Sequence, residues 1–273
     1  RPAHDLIVAE EKKPTCLEDG YIYYVCNRCG YSIAEFLPKF GDHVLGDWYT
    51  VTDGTQNDPG ESRRDCANCD YSETGTFTTV ASGICGLTAE WVLKGTGELW
   101  VYGSGKIFDY DYSSQPWYKY RAAISSVYLE DSITYIGRRA FEKCSNLTSV
   151  HFGNGITEIG SSAFYDCIGL ADIVIPDMVT TIGEYTFMYC TELRNVQFGS
   201  GIRSIPARIF SGCTSLRSIS IPDTITSIGY EAFSECAELE YVSIPVTVSE
   251  MGSSVFRNCP ALCTAGPAGG GYN

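Results

Sequence analysis

Residues 156–182 read ITEIGSSAFYDCIGLADIVIPDMVTTI, and this stretch decides the fold because its frame recurs. Cys167 has counterparts at Cys144, Cys190, Cys213, Cys236 and Cys259, a spacing of 23 residues with no insertion across five intervals. Phe164 stands three residues before its Cys, as do Phe141, Phe187, Phe210, Phe233 and Phe256. Leu170 stands three residues after it, matched by Leu147, Leu193, Leu216, Leu239 and Leu262. An alternating apolar pair follows, Ile173 and Ile175 here, Val150 and Phe152 or Val196 and Phe198 elsewhere. Two further apolar positions three apart complete the unit, Val179 and Ile182 or Ile156 and Ile159, usually followed by Gly. A fixed period of this length marks an array whose units cannot bury their own apolar faces, so neighbours must stack.

Within one unit the Ile173 and Ile175 alternation predicts a short strand with inward apolar side chains, ended by Pro176. Equivalent strands stack into a parallel sheet, about 25 to 30 Å long for six coils at about 4.8 Å each. Residues 160–167 are too short for an independent helix and predict one helical or 3₁₀ turn on the opposite side. The predicted fold class is a repeat solenoid, a right-handed coil with a parallel β-sheet and short helical or 3₁₀ turns. The cysteines in this apolar register are expected to act as small buried hydrophobes, since parallel Cβ vectors disfavour disulfides between neighbours.

Upstream, Tyr118 takes the Phe position, Arg121 the Cys position and Ile124 the Leu position of a degenerate first coil. Downstream, Leu262 leads into a Gly-rich stretch without a polar cap, and the native protein is expected to continue beyond Asn273. Trp91-Val92-Leu93 and Leu99-Trp100-Val101-Tyr102 flank the turn residues 94–97 and predict a hairpin that closes the N-terminal edge of the array. The predicted domains are residues 1–80, as two small irregular Cys-x-x-Cys modules of about 1–40 and 41–80, the hairpin cap at 81–116, and the solenoid at 117–273.

Residues 1–80 lack the 23-residue ladder but contain a weak duplication. His4 precedes Cys26-Asn27-Arg28-Cys29 by 22 residues, and His43 precedes Cys66-Ala67-Asn68-Cys69 by 23. Modules of this size build a marginal core, so a staple is physically useful. His4, Cys16, Cys26 and Cys29 could supply a tetrahedral structural zinc site in residues 1–40; a disulfide or reduced thiols are the alternatives. The second module has only His43, Cys66 and Cys69, with Gln56 near the position of Cys16. No other cofactor is expected.

The repeat, Ile-Gly-x-x-x-Phe-x-x-Cys-x-x-Leu-x-x-Val-x-Ile-Pro, resembles the BspA-type leucine-rich repeats of bacterial surface proteins, also seen in treponemal leucine-rich-repeat proteins. Cys85-Gly86 through Trp91, Gly103-Ser104-Gly105 and Pro116-Trp117 are similar to the segment that often precedes those repeats, and the Cys-x-x-Cys modules to units that accompany them. Departures are Arg121 for Cys, Pro206 for Gly and Cys263 at an outward strand position. The resemblance implies an extracellular, secreted or surface-attached protein whose array mediates adhesion or binding to host or other extracellular proteins.

Strand alternation lists the outward residues. One file is Ser126, Ser149, Asp172, Asn195, Ser218 and Tyr241; beside it run Tyr128, His151, Val174, Gln197, Ser220 and Ser243. Binding is expected through Tyr128, His151, Asp172, Asn195, Gln197 and Tyr241, with the aromatics as anchors; the alternative is a merely solvated face.

Composition narrows the classes further. The chain has 273 residues, 33 acidic against 19 basic, a formal charge of −14, 13 Cys and three His. Such acidity offers no footprint for nucleic acid or an anionic membrane surface. No apolar run approaches the roughly 18 residues that span a bilayer, so no membrane insertion is expected. His151 is the lone histidine of the array, and no phosphate loop or nucleophile motif occurs, so the chain reads as non-enzymatic. A metal-binding or redox Cys-x-x-Cys protein with a structural solenoid is the competing class, and exposed Cys263 could link two chains into a dimer.

Overall fold

The computed structural model describes residues 5–13, 20–29, 32–37, 49–52, 60–67, 72–77 and 79–265. The chain divides into two compact units, Arg1–Thr78 and Thr79–Asn273. In the first, β1 (Leu6–Lys12), β2 (Gly20–Cys26) and β3 (Ser32–Leu37) form an antiparallel sheet in that order. β4 (Tyr49–Thr52), β5 (Gly60–Asp65) and β6 (Ser72–Phe77) repeat the arrangement.

The second unit starts with β7 (Thr79–Ile84), β8 (Gly86–Lys94) and β9 (Glu98–Ile107), joined antiparallel. Leu99 and Val101 point into the core and are buried, while Glu98, Trp100 and Tyr102 face the other way. β9 is the first rung of two parallel ladders. Its start pairs with Ser126–Leu129, setting Leu99 against Val127 and Trp100 against Tyr128. Its end pairs with Ile133–Ile136, setting Lys106 against Tyr135. The chain bends between these segments at Gly103, where φ is +90° and an added Cβ would lie 2.0 Å from the Thr88 carbonyl oxygen. Only glycine fits that close approach.

Beyond β9 the front strands continue with Ser149–His151, then Asp172–Val174 paired with Asn195–Gln197, then Ser218–Ser220, Tyr241–Ser243 and Thr264–Ala265 paired in turn. Register follows the repeat, as in Ser126 opposite Ser149, Asp172 opposite Asn195 and Ser218 opposite Tyr241. The second ladder continues with Glu158–Ile159, Thr181–Ile182, Ser204–Ile205, Ser227–Ile228 and Glu250–Met251. The pair of apolar residues three apart thus builds strands of its own, which the sequence left unassigned because two residues cannot display a period of two. The Gly after this pair lets coils approach: a Cβ on Gly183 would lie 2.3 Å from the Ser161 nitrogen.

The opposite side differs from the predicted helical or 3₁₀ turn in a specific way. Among the described residues a 3₁₀ helix occurs once, at Tyr118–Tyr120. In the later coils the amides alternate. Ala163, Tyr165 and Cys167 N–H donate three residues back, to the carbonyls of Gly160, Ser162 and Phe164. Ser162, Phe164 and Asp166 N–H donate instead to Glu184, Thr186 and Met188 of the next coil, at 2.9, 3.0 and 2.8 Å. This alternation needs left-handed residues, and Ser162, Asp166, Tyr185 and Tyr189 have φ of 57°, 58°, 62° and 61°. Each such residue costs about 1–2 kcal/mol, offset by intercoil hydrogen bonds of about 0.5–1.5 kcal/mol each and by burial of the intervening Phe.

Those phenylalanines form one stack. Phe141, Phe164, Phe187, Phe210, Phe233 and Phe256 lie 5.3, 5.5, 5.7, 5.6 and 5.7 Å apart between successive ring centroids, with planes within 18° of parallel. Trp117, not the predicted Tyr118, heads the stack, 5.4 Å from Phe141, and its indole N–H donates to the Ala140 carbonyl. Only the ring position of the first coil is displaced by one residue, since Ser126, Val127 and Tyr128 keep the 23-residue spacing to their partners in the next coil. From Cys167 to Cys259 the ladder thiols donate across coils, Cys167 to the Phe141 carbonyl at 3.1 Å and Cys190 to that of Phe164 at 3.3 Å. Periodicity alone did not reveal that bond.

Candidate binding face on the strand side

The outward residues of the front ladder are polar and largely exposed, but its first rungs carry aromatics. Trp100 and Tyr128 stack with centroids 4.3 Å apart and planes 8° from parallel. Tyr128 and His151 repeat this at 4.2 Å and 2°, and Tyr102, two residues along the strand of Trp100, lies 6.0 Å from it. Parallel register places these rings at the rung spacing, so their faces cover one another and their edges face outward. The indole N–H of Trp100 donates to Glu98 at 3.1 Å, and Lys94 lies 4.3 Å above its ring. Trp100 and Tyr102 were not among the predicted anchors. Their signal was present, since they alternate with buried Leu99 and Val101, but the hairpin lies outside the 23-residue frame.

The other predicted positions are distributed along the ladder. Asp172, Asn195, Gln197 and Tyr241 are exposed, and the Asn195 amide donates to the Asp172 carboxylate across one rung. Val174, next in file after His151, is 56% exposed and extends the apolar strip. Ser126, placed in the outward file, is buried beside β9. The structure therefore brings Tyr128 and His151 together, pairs Asp172 with Asn195, and leaves Tyr241 two rungs further on.

At the cap, the Asp109 carboxylate accepts the Tyr135 hydroxyl and the Arg138 N–H, each at 2.7 Å. Desolvation pushes its pKa up, yet these hydrogen bonds and nearby Arg138 outweigh it and hold the group below the usual carboxylate value. Burial pushes the thiols of Cys85, Cys144 and Cys190 up to about 12. Desolvated neutral thiols are poor nucleophiles, so these three are inert at neutral pH, whereas at half-buried Cys259 the hydrogen bond with Cys236 lowers the thiol pKa.

Cys26 ends β2, is buried, and is followed by a turn that presents exposed Cys29 before β3. His4 and Cys16, the other two members of the predicted zinc set, lie outside the described residues, as do His43 and Cys69. Among the described residues no cluster of three or more His, Cys, Asp or Glu side chains converges on one point. The backbone around Cys26 is an antiparallel hairpin, unlike the βαβ context in which Cys-x-x-Cys redox motifs work. Cys263 is exposed at the last described coil.

Two parallel strand ladders, a turn side closed by alternating bonds, and one Phe, Cys and Leu per coil define a leucine-rich-repeat solenoid. The particular lineage follows from the comparisons: the model of the BspA type leucine rich repeat region matches residues 114–213 and 195–265, in six copies, and the chain belongs to that family. The leucine-rich repeat protein of T. pallidum is 21% identical, with a TM-score of 0.50 over 64% of this chain and 88% of that one. A leucine-rich repeat protein from Bacteroides ovatus is 20% identical, with a TM-score of 0.45 over 67% of this chain and 62% of that one. The pneumococcal vaccine antigen PcpA is 19% identical, with a TM-score of 0.38 over 68% of this chain and 50% of that one. Likeness at these identities concerns the fold alone. No curated protein matches the sequence.

Proposed function

We propose that the chain is a non-enzymatic, extracellular or surface-displayed protein-binding module, and that it engages host or other extracellular proteins through the outward face of its front ladder. The observation that carries this reading is the strip of Tyr102, Trp100, Tyr128 and His151, stacked on a strand face whose remaining residues, Val174 and Tyr241 aside, are polar. Rigid aromatics held by their neighbours offer contact area at low entropic cost, which is what interface anchors need. Asp172, Asn195, Gln197 and Tyr241 supply polar contacts further along. Adhesion is the use that the family resemblance implies for such a face.

The test is capture of purified extracellular proteins by the immobilised chain, compared with Trp100→Ala plus Tyr128→Ala and with Asn195→Lys plus Gln197→Lys. Capture that is lost in both variants while the far-ultraviolet spectrum stays unchanged supports the reading. Capture that persists in both places the binding face elsewhere.

A further inference from the structure

The acidity of the solenoid unit is one-sided. Residues 79–273 contain 19 acidic and 12 basic side chains. Twelve of the acidic ones lie on the strand side, from the Cys-x-x-Leu corner through both ladders and strands β7 to β9, against five basic ones, Lys94, Lys106, Arg194, Arg203 and Arg217. The turn side carries seven of each. There the charges largely cancel locally: Arg138 pairs with Asp111, Arg139 with Glu142, and Arg208 and Arg257 both with Glu231. On the strand side Lys94, Arg194 and Arg217 are already committed to Glu98, Glu192 and Glu238. Glu90, Glu158, Asp172, Glu240 and Glu250 have no basic partner among the described residues, and all but Glu158 are exposed. Net charge spread evenly would serve solubility alone; confined to the face that carries the aromatic strip, it selects partners.

The carboxylates also set a length. Glu90 stands beside Tyr102 on β8, one strand outside β9, and Glu240 adjoins the Tyr241 rung. Seven rung intervals at about 4.8 Å separate them, roughly 34 Å, the span of about ten residues of extended chain. Resting on the protein-binding reading above, we propose that the strand side takes an extended, lysine- and arginine-rich segment of a partner protein, lying along the solenoid axis. Its cations meet Glu90, Asp172 and Glu240, and its backbone and apolar stems lie against Trp100, Tyr128, His151 and Val174.

The experiment uses the full chain and fluorescent peptides of about 12 residues, one repeating Arg-Ser-Gly and one repeating Asp-Ser-Gly, in about 0.05 M NaCl. The cationic peptide is expected to bind and the anionic one not. Glu90→Gln, Asp172→Asn and Glu240→Gln together weaken the cationic peptide about tenfold or more, whereas Asp166→Asn, Glu184→Gln and Glu235→Gln, which remove equal charge from the turn side, change it less than about twofold. Equal effects of the two triple variants, or no binding of the cationic peptide, overturn the proposal. Extracellular proteins whose capture falls with Trp100→Ala plus Tyr128→Ala but not with the strand-side carboxylate variant would leave the binding face standing and remove its cationic preference. If cationic peptide binding responds only to the strand-side triple while no extracellular protein is captured, the charge inference holds and the broader function fails.

Discussion

Phe187→Ala tests whether the stacked rings hold the coils together. Phe187 is fully buried and lies between Phe164 at 5.5 Å and Phe210 at 5.7 Å, with planes 5° and 6° from parallel. Truncation of a fully buried Phe costs about 3–5 kcal/mol, and the loss of two aromatic contacts at about 0.5–1.5 kcal/mol each sets this site near the upper end. Phe256 supplies the internal control. It is half-buried and has one stacking partner, Phe233 at 5.7 Å, so the same substitution there is expected to cost about half as much. In an array coupled only through neighbours, a central defect also splits the cooperative unit, whereas a terminal one frays the end. Urea unfolding followed by Trp fluorescence and far-ultraviolet circular dichroism reads both effects, the midpoint reporting stability and the slope the surface exposed. Phe187→Leu retains apolar volume and loses the stacking, and should fall between wild type and alanine. Equal costs at Phe187 and Phe256, or a cost below about 1.5 kcal/mol at Phe187, would refute the idea that the stack is the main intercoil contact.

Three further expectations concern the thiols, the turns and the N-terminal module. The Cys190 thiol has its folded pKa raised to about 12, so the unfolded chain ionises first, and stability present below about pH 8.5 is lost as pH rises towards the folded value. Cys190→Ala removes this loss, so its penalty relative to wild type should shrink by about 2 kcal/mol between pH 8 and pH 10; an unchanged penalty contradicts a buried neutral thiol. Ser162 sits at φ 57°, and Ser162→Gly should raise the unfolding free energy while Ser162→Val lowers it by about 1–2 kcal/mol; the opposite order would rule out the alternating turn geometry. Zinc content of the full chain, purified without added metal, should be near one equivalent if His4, Cys16, Cys26 and Cys29 hold the ion, and should vanish in Cys26→Ser plus Cys29→Ser. A content well below half an equivalent rejects the site.

How much of this was legible depended on how each feature is encoded. The 23-residue frame of Phe, Cys and Leu announces itself because every coil solves the same packing problem, and identical solutions recur at one period. Alternation around Ile173 and Val242 likewise fixed which side chains face outward. Trp117 was misplaced because the first coil contacts a hairpin on one side instead of another coil, so its ring position shifted by one residue while its strand stayed in frame. Trp100 escaped the list of anchors for the same reason: it joins the stack of Tyr128 and His151 through strand pairing with β9, a contact no repeat period carries.

Local sequence determined the solenoid, the inward ladders and the burial of the cysteines, since each depends on residue type at a repeated position. Tertiary structure alone decided the second ladder, the left-handed turns at Ser162 and Asp166, and the thiol bonds to the Phe carbonyls, because those are satisfied by the next coil. It also decided which charges lie together. Acidic residues scattered through the sequence gather on the strand side only when 23 residues become one turn, for then neighbours along the axis are residues far apart in the chain.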